Sequence, residues 1–209
     1  MRIVSVESSV VSLPFDMGGP YARFAGKLWD KLEILLVRVE TEDGLVGWGE
    51  AFGHAAIPST RAALDTIVAP LVIGKEASDI SALTRSVLHS THLLGRNGSF
   101  VYAWSGIEIA LWDLLGKRAG LPVHQLLGNG SRTQLEAYSS LLAYGDADIA
   151  ARNTRAAADQ GFRYIKLHET TRDALLRSQE AVQGRGVQIM MDVNWAWDVP
   201  GALDMAGSM

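Results

Sequence analysis

The feature that most restricts this chain is its last third, where short apolar runs alternate with amphipathic helical segments across brief connections. Leu135 to Leu142 reads as a strand, Ala147 to Gln160 as a helix, and Arg163 to His168 as a strand. Arg172 to Gln183 follows as a helix and Val187 to Val193 as a strand. A β-α-β-α-β order with short links specifies a parallel sheet built by right-handed crossovers. Residues 131–209 are too few for a closed eight-stranded barrel, which takes roughly 250 residues. A doubly wound dinucleotide fold needs a glycine-rich loop after its first strand. Here that loop reads Ala143-Tyr144-Gly145-Asp146-Ala147-Asp148, with a single glycine. The start of a β/α barrel, three units long, fits better.

The preceding residues have a different style. Residues 2–12 are rich in β-branched side chains and read as a strand. Leu32 to Glu40 reads as a second strand. Asp43-Gly44 is a hairpin signal, and Leu45 to Glu50 returns as a third strand, giving an antiparallel meander. The period then changes from two to 3.6. Ser59 is a candidate N-cap for a helix through about Val68, Asp79 to His92 forms a second helix, and Tyr102 to Arg118 a third. In the third, Trp104, Ile107, Leu111, Leu114 and Leu115 share one face, and Gly120 and Pro122 end it. The expected organisation is an α+β capping domain over residues 1–130, followed over 131–209 by the first three β/α units of an incomplete TIM-type barrel.

Composition removes several classes of function. Nineteen basic residues are scattered among 23 acidic ones, for a net charge of −4, so no clustered cation surface for nucleic acid is expected. The absence of cysteine excludes disulfides and thiol chemistry. No run of about 18 apolar residues marks a membrane span, and the N-terminus lacks a signal peptide's apolar run. The expected location is the cytoplasm.

Three stretches carry a family resemblance: Gly44-Leu45-Val46-Gly47-Trp48-Gly49-Glu50, the helix Ala103 to Lys117 with its core Trp104-Ser105-Gly106-Ile107-Glu108, and Gly120-Leu121-Pro122-Val123-His124-Gln125-Leu126-Leu127-Gly128. Together they resemble the mandelate racemase and muconate lactonizing enzyme group of the enolase superfamily, over essentially the whole chain. The resemblance implies removal of a proton α to a carboxylate, giving an enediolate held by magnesium, in racemases, cycloisomerases and sugar-acid dehydratases. It implies a carboxylate-bearing small molecule as substrate and, at full length, a homo-oligomer.

The same resemblance points to particular residues. Where the group carries Lys-x-Lys at the end of its second barrel strand, this chain has Lys166-Leu167-His168. Asp192, before Val193 and Asn194, matches a metal-binding aspartate at the end of the third. Alternation puts Lys166 and His168 on one face of their strand. His168 departs from the usual second lysine, and a neutral imidazole also accepts a proton. Three readings stay open: His168 is the base with Lys166 holding the substrate carboxylate or tuning the imidazole, the roles are reversed, or the departure from lysine has ended that activity. One carboxylate does not make a magnesium site, because the ion takes six oxygens in octahedral geometry. The resemblance places the other two acidic ligands on later strands, so these 209 residues alone are not expected to catalyse the family reaction. A truncated remnant without catalysis, or one half of a split enzyme, is the competing reading.

Two long loops carry substrate-binding candidates: Tyr21, Arg23 and Phe24 between the first two strands, and His54 after the third. Asn194 joins them from beside Asp192. Trp195 and Trp197 either cover substrate or pack over the barrel top. Other polar side chains read as structural: His89 and His92 on a helix face, His124 in a connection, and the i, i+4 pair Asp113 and Lys117, which on a helix surface contributes a few tenths of a kcal/mol.

Overall fold

A computed structural model describes residues 1–24, 26–128 and 132–207. The expected boundary between Gly130 and Ser131 lies outside the described residues. The strands are β1 (Ile3–Pro14), β2 (Arg23–Phe24), β3 (Lys27–Leu28), β4 (Lys31–Thr41), β5 (Val46–Ala51), β6 (Ser139–Ser140), β7 (Tyr164–Leu167) and β8 (Gln188–Met191). The helices are α1 (Ile57–Ala63), α2 (Ala69–Val72), α3 (Ile80–Ser90), α4 (Ser99–Ala119), α5 (Val123–Leu126), α6 (Ala147–Asp159), α7 (Arg172–Ala181) and α8 (Val199–Gly207). They form two compact units. One comprises residues 1–15 and 31–132, the other residues 16–30 and 133–209.

In the first unit, β1, β4 and β5 form the expected antiparallel meander in that order. Alternation along β4 buries Leu35, Val37, Val39 and Thr41. Against them lie Trp104, Ile107, Leu111 and Leu114 of α4, all in one core with Leu64, Val68, Leu83 and Val87. Each such aliphatic side chain contributes about 1.5–3 kcal/mol on burial.

The closeness of α4 to β5 is set by small residues. Gly47 and Gly49 occupy the buried phase of β5, between the exposed Trp48 and Glu50. A Cβ on Gly49 would overlap the Gly106 carbonyl oxygen, and one on Gly47 would overlap that of Ala110. On the helix side, a Cβ on Gly106 would meet Ala51 Cβ and Val37 Cγ2 at 2.8 Å. The Gly-x-Gly of the strand and the glycine of the helix are one packing arrangement, backbone against backbone.

The free edge of β5 is covered by α4 as well. Asp113 Oδ2 accepts from the Trp48 backbone N–H at 2.8 Å and from Lys117 Nζ at 2.6 Å, while Lys117 also donates to the Val46 carbonyl at 2.8 Å. The pair thus satisfies ladder groups that an edge strand leaves open, more than a helix-surface ion pair does. Asp113→Ala is expected to cost about 1–2 kcal/mol, the loss of a charged acceptor from a backbone donor. Urea denaturation measures it, and a change below about 0.3 kcal/mol would remove this role.

Two helix expectations change. Ser59 is not an N-cap: α1 begins at Ile57 with Pro58 in its first turn, and the Ser59 hydroxyl donates to Ala56 O. Proline's fixed φ suits the first turn, where no N–H is required. The chain then stays helical to Val72, through a π-helical turn at Leu64–Val68. Asp79, by contrast, does cap α3, accepting from Ala82 N at 2.8 Å.

In the second unit, β6, β7 and β8 form a parallel sheet in that order, with α6 and α7 as crossovers. Ile165 and Leu167 bury against Ala157, Ala158, Leu175 and Val182. The expected strand over Leu135 to Leu142 shrinks to Ser139–Ser140, because β7 offers it partners only at Ile165 and Lys166. Leu135 is 79% exposed. α8 follows β8, completing a third β/α unit. Among the described residues no helix is long and apolar enough to cross a membrane.

Candidate active site

Strand alternation sorts the end of β7 into two faces. Ile165, Leu167 and Glu169 are buried, whereas Lys166 and His168 lie on the opposite face and remain partly accessible. β8 pairs in parallel beside them, Leu167 opposite Met191, and Asp192 N donates to Leu167 O. That register brings the Asp192 side chain to the same strand ends.

Three groups meet there. Lys166 Nζ is 3.0 Å from Asp192 Oδ2, and the backbone N–H of Asn194 donates to Asp192 Oδ1 at 3.2 Å. Asp192 and Asn194 therefore form an Asx turn in which the carboxylate also receives a lysine. The Lys166 ammonium, and after it the Asn194 N–H, hold the Asp192 carboxyl below the usual carboxylate range. The turn sets Asn194 and Trp195 at φ values of 45° and 59°, and Trp195 is 97% exposed.

His168 Nδ1 lies 3.1 Å from the Asp192 carbonyl oxygen and 3.8 Å from its Oδ2. A carbonyl only accepts, so Nδ1 carries the proton and Nε2 of the neutral ring presents a lone pair. Asn194 Nδ2, 3.5 Å from the same Nδ1, donates nothing to it. One ring nitrogen is thus fixed by the backbone. The Tyr138 ring adds a second cue, its centroid 5.6 Å from Lys166 Nζ, within cation–π range.

Glu169, which the sequence reading passed over, is 4% exposed and accepts from the backbone N–H groups of Tyr144 at 2.7 Å and Gly145 at 3.3 Å. It fixes the loop that leads from β6 into α6. That loop and helix hold the segment 16–30: Gly18 O accepts from Arg152 at 2.5 Å and from Asn153 at 2.9 Å. A Cβ on Gly19 would lie 2.9 Å from the Tyr144 ring, and burial pushes the Tyr144 hydroxyl up. The signal for Glu169 was present in the sequence, as an acid just past the strand that continues the alternation of Ile165 and Leu167. Glu169→Ala is expected to cost about 1–3 kcal/mol through two unpaired N–H groups. It should also speed amide exchange at Tyr144 and Gly145; unchanged exchange there would contradict the role.

The structure brings Lys166, His168, Asp192 and Asn194 together. It places Tyr21 and Arg23 on the segment 16–30, where Tyr21 is half-exposed and Arg23 donates to Gly26 O at 3.2 Å. Among the described residues neither touches that group by a hydrogen bond or ion pair. His54 belongs to the first unit, in a 3-10 turn at φ 52°, its ring 5.5 Å from that of Phe52. The described residues contain no group of three His, Asp or Glu side chains able to hold a metal ion. Asp192 is a suitable single oxygen ligand and no more.

An antiparallel meander with helices, followed along the chain by parallel β/α units, is the layout of an N-terminal cap domain and the start of a β/α barrel. Residues 19–128 match the N-terminal domain of the mandelate racemase/muconate lactonizing enzyme family, and the chain belongs to that family. A D-galactonate dehydratase family member of Catenulispora acidiphila is 38% identical over 136 residues, which is 64% of this chain and 31% of that protein. An arabinonate dehydratase of Saccharolobus solfataricus is 29% identical over 182 residues, 83% of this chain and 48% of that one. The 3,6-anhydro-D-galactonate cycloisomerase of Zobellia galactanivorans superposes with a TM-score of 0.81 at 27% identity, over 99% of this chain and 55% of its own. The chain thus spans about a third to a half of the length of these curated relatives.

Proposed function

We propose that this chain supplies one wall of an active site that removes the proton α to the carboxylate of a sugar acid, the opening step of a dehydration. The observation that carries the reading is the contact of His168 Nδ1 with the Asp192 carbonyl oxygen at 3.1 Å. With Nδ1–H given to the Asp192 carbonyl, Nε2 is free to take the proton. Lys166, on the same strand face, already engages one carboxylate and has the charge to steady the one on which the electron pair accumulates. The similarity to a D-galactonate dehydratase family member, an arabinonate dehydratase and a 3,6-anhydro-D-galactonate cycloisomerase supports that substrate class.

Asp192 would hold one coordination position of a magnesium ion, which when bound neutralises charge developing on the substrate carboxylate. The described residues do not fill the ion's other positions, so the reading predicts no tight magnesium binding by these 209 residues alone. It predicts catalysis only where further residues supply the missing ligands and a second proton donor for the departing hydroxyl.

The reading is tested on the chain as it stands by long-range proton–nitrogen correlation of the five histidines. His168 should show a protonated Nδ1 and an unprotonated Nε2 in the neutral form. An Nε2–H tautomer would leave no lone pair facing substrate, and the base assignment would fail.

A further inference from the structure

The first unit contains an opening that this chemistry does not use. α3 buries Leu83 and Val87 and leaves Arg85, Leu88 and His89 accessible on its other side. A 3-10 turn, His92–Leu94, follows. Gly95 and Gly98, at φ 88° and 81°, then reverse the chain into α4, which brings Arg96 to the same place. Together with Val101 of α4 these side chains line a cavity of about 460 Å³. That volume lies in the range of sites for small molecules, roughly 300–1,000 Å³.

The charge of the lining is one-sided. It holds two guanidinium groups and two imidazoles and no carboxylate, in a chain whose acidic residues outnumber its basic ones. Arg118, Arg177 and Arg185 each pair with an aspartate. Among the described residues, Arg85 and Arg96 pair with no acid. The imidazoles are held in place: His92 Nδ1 donates to the His89 carbonyl at 2.8 Å, and the two rings stack at 5.9 Å with planes 23° apart. The other nitrogen of His92, Nε2, accepts in the neutral ring and donates to an anion only in the protonated ring. Leu88 and Val101 add apolar surface beside the guanidinium donors of Arg85 and Arg96.

We propose that this cavity binds a small organic anion, with its carboxylate or phosphate head on Arg85 and Arg96 and its apolar body against Leu88 and Val101. A guanidinium presents a planar fork of donors that fits either head. The apolar share of the lining selects an anion with a body over a bare inorganic one. The chain's overall negative charge works against an extended polyanion, which needs a continuous basic surface.

Benzoate and phenyl phosphate carry the same body with different heads, and inorganic phosphate carries no body. Each is titrated into the 209-residue chain by calorimetry at fixed ionic strength, with the ring proton signals of the five histidines followed in parallel. At least one of the two aromatic anions should saturate the chain, with inorganic phosphate about tenfold weaker or more; the tighter head names the ligand class. The His89 and His92 signals should shift, while those of His54, His124 and His168 stay put. The double variant R85Q/R96Q should weaken binding about tenfold or more and leave the ligand-free Tm unchanged, since both side chains are exposed. No saturable binding by either aromatic anion overturns the proposal. So does equal affinity for inorganic phosphate, or unmoved His89 and His92 signals. Undiminished affinity in a folded double variant does the same.

Discussion

Replacing Gly49 by alanine is expected to destabilise the first unit by about 3 kcal/mol or more, beyond the usual range for overpacking. The added methyl would sit on the Gly106 carbonyl oxygen, with Ala110 N at 2.8 Å, so backbone rather than a flexible side chain has to move. α4 cannot retreat cheaply, because Ile107, Leu111 and Leu114 on the same face are fully buried against the sheet. At roughly 4 °C of Tm per kcal/mol for a unit of this size, thermal melting should begin about 10 °C lower. Glu50→Ala, on the exposed phase of the same strand, should stay within about 0.5 kcal/mol. A Gly49→Ala protein that melts with the parent would mean the helix and strand do not approach as described.

The second large effect is chemical. In a polypeptide joining residues 1–209 to the rest of a barrel, His168→Asn should slow α-proton exchange by about 10²–10⁴-fold, the usual worth of a positioned general base. Lys166→Met should do comparable damage by a different route. It removes the ammonium 3.0 Å from Asp192 and lets the Asp192 carboxyl rise back toward its ordinary range, since that contact is the leading cause of its depression. The two variants are therefore separable. His168→Asn should leave the Asp192 titration closer to the parent's than Lys166→Met does, as His168 contributes only a lesser Coulombic part.

Much of this was legible before any coordinates, and the reasons are physical. The meander and the parallel units came from periodicities that burial imposes directly: Leu35, Val37 and Val39 fall on one phase, and Ile165 and Leu167 on another. Lys166 and His168 share a face for the same reason. What escaped depends on groups distant in sequence. Nothing local tells that Gly49 meets Gly106, that Asp113 serves the backbone of β5, or that Glu169 accepts from Tyr144 and Gly145. The β6 error has the same origin, because a strand's length is set by its neighbour as much as by its own apolar residues. The early start of α1 was a matter of turn chemistry, with Pro58 outweighing Ser59. The substrate candidates Tyr21, Arg23 and His54 rested on loop length and resemblance, and they belong to two different units of the chain.

The proposed role of the ends of β7 and β8 is to carry an acid–base group for carbon acids. Proton NMR of galactonate and arabinonate in deuterated water, with the joined polypeptide and with magnesium present or withheld, tests it most directly. The expected result is loss of the α-proton signal that requires magnesium and disappears in both His168→Asn and Lys166→Met. Exchange that persists in those variants, or an α-proton that never exchanges with any sugar acid, would contradict it.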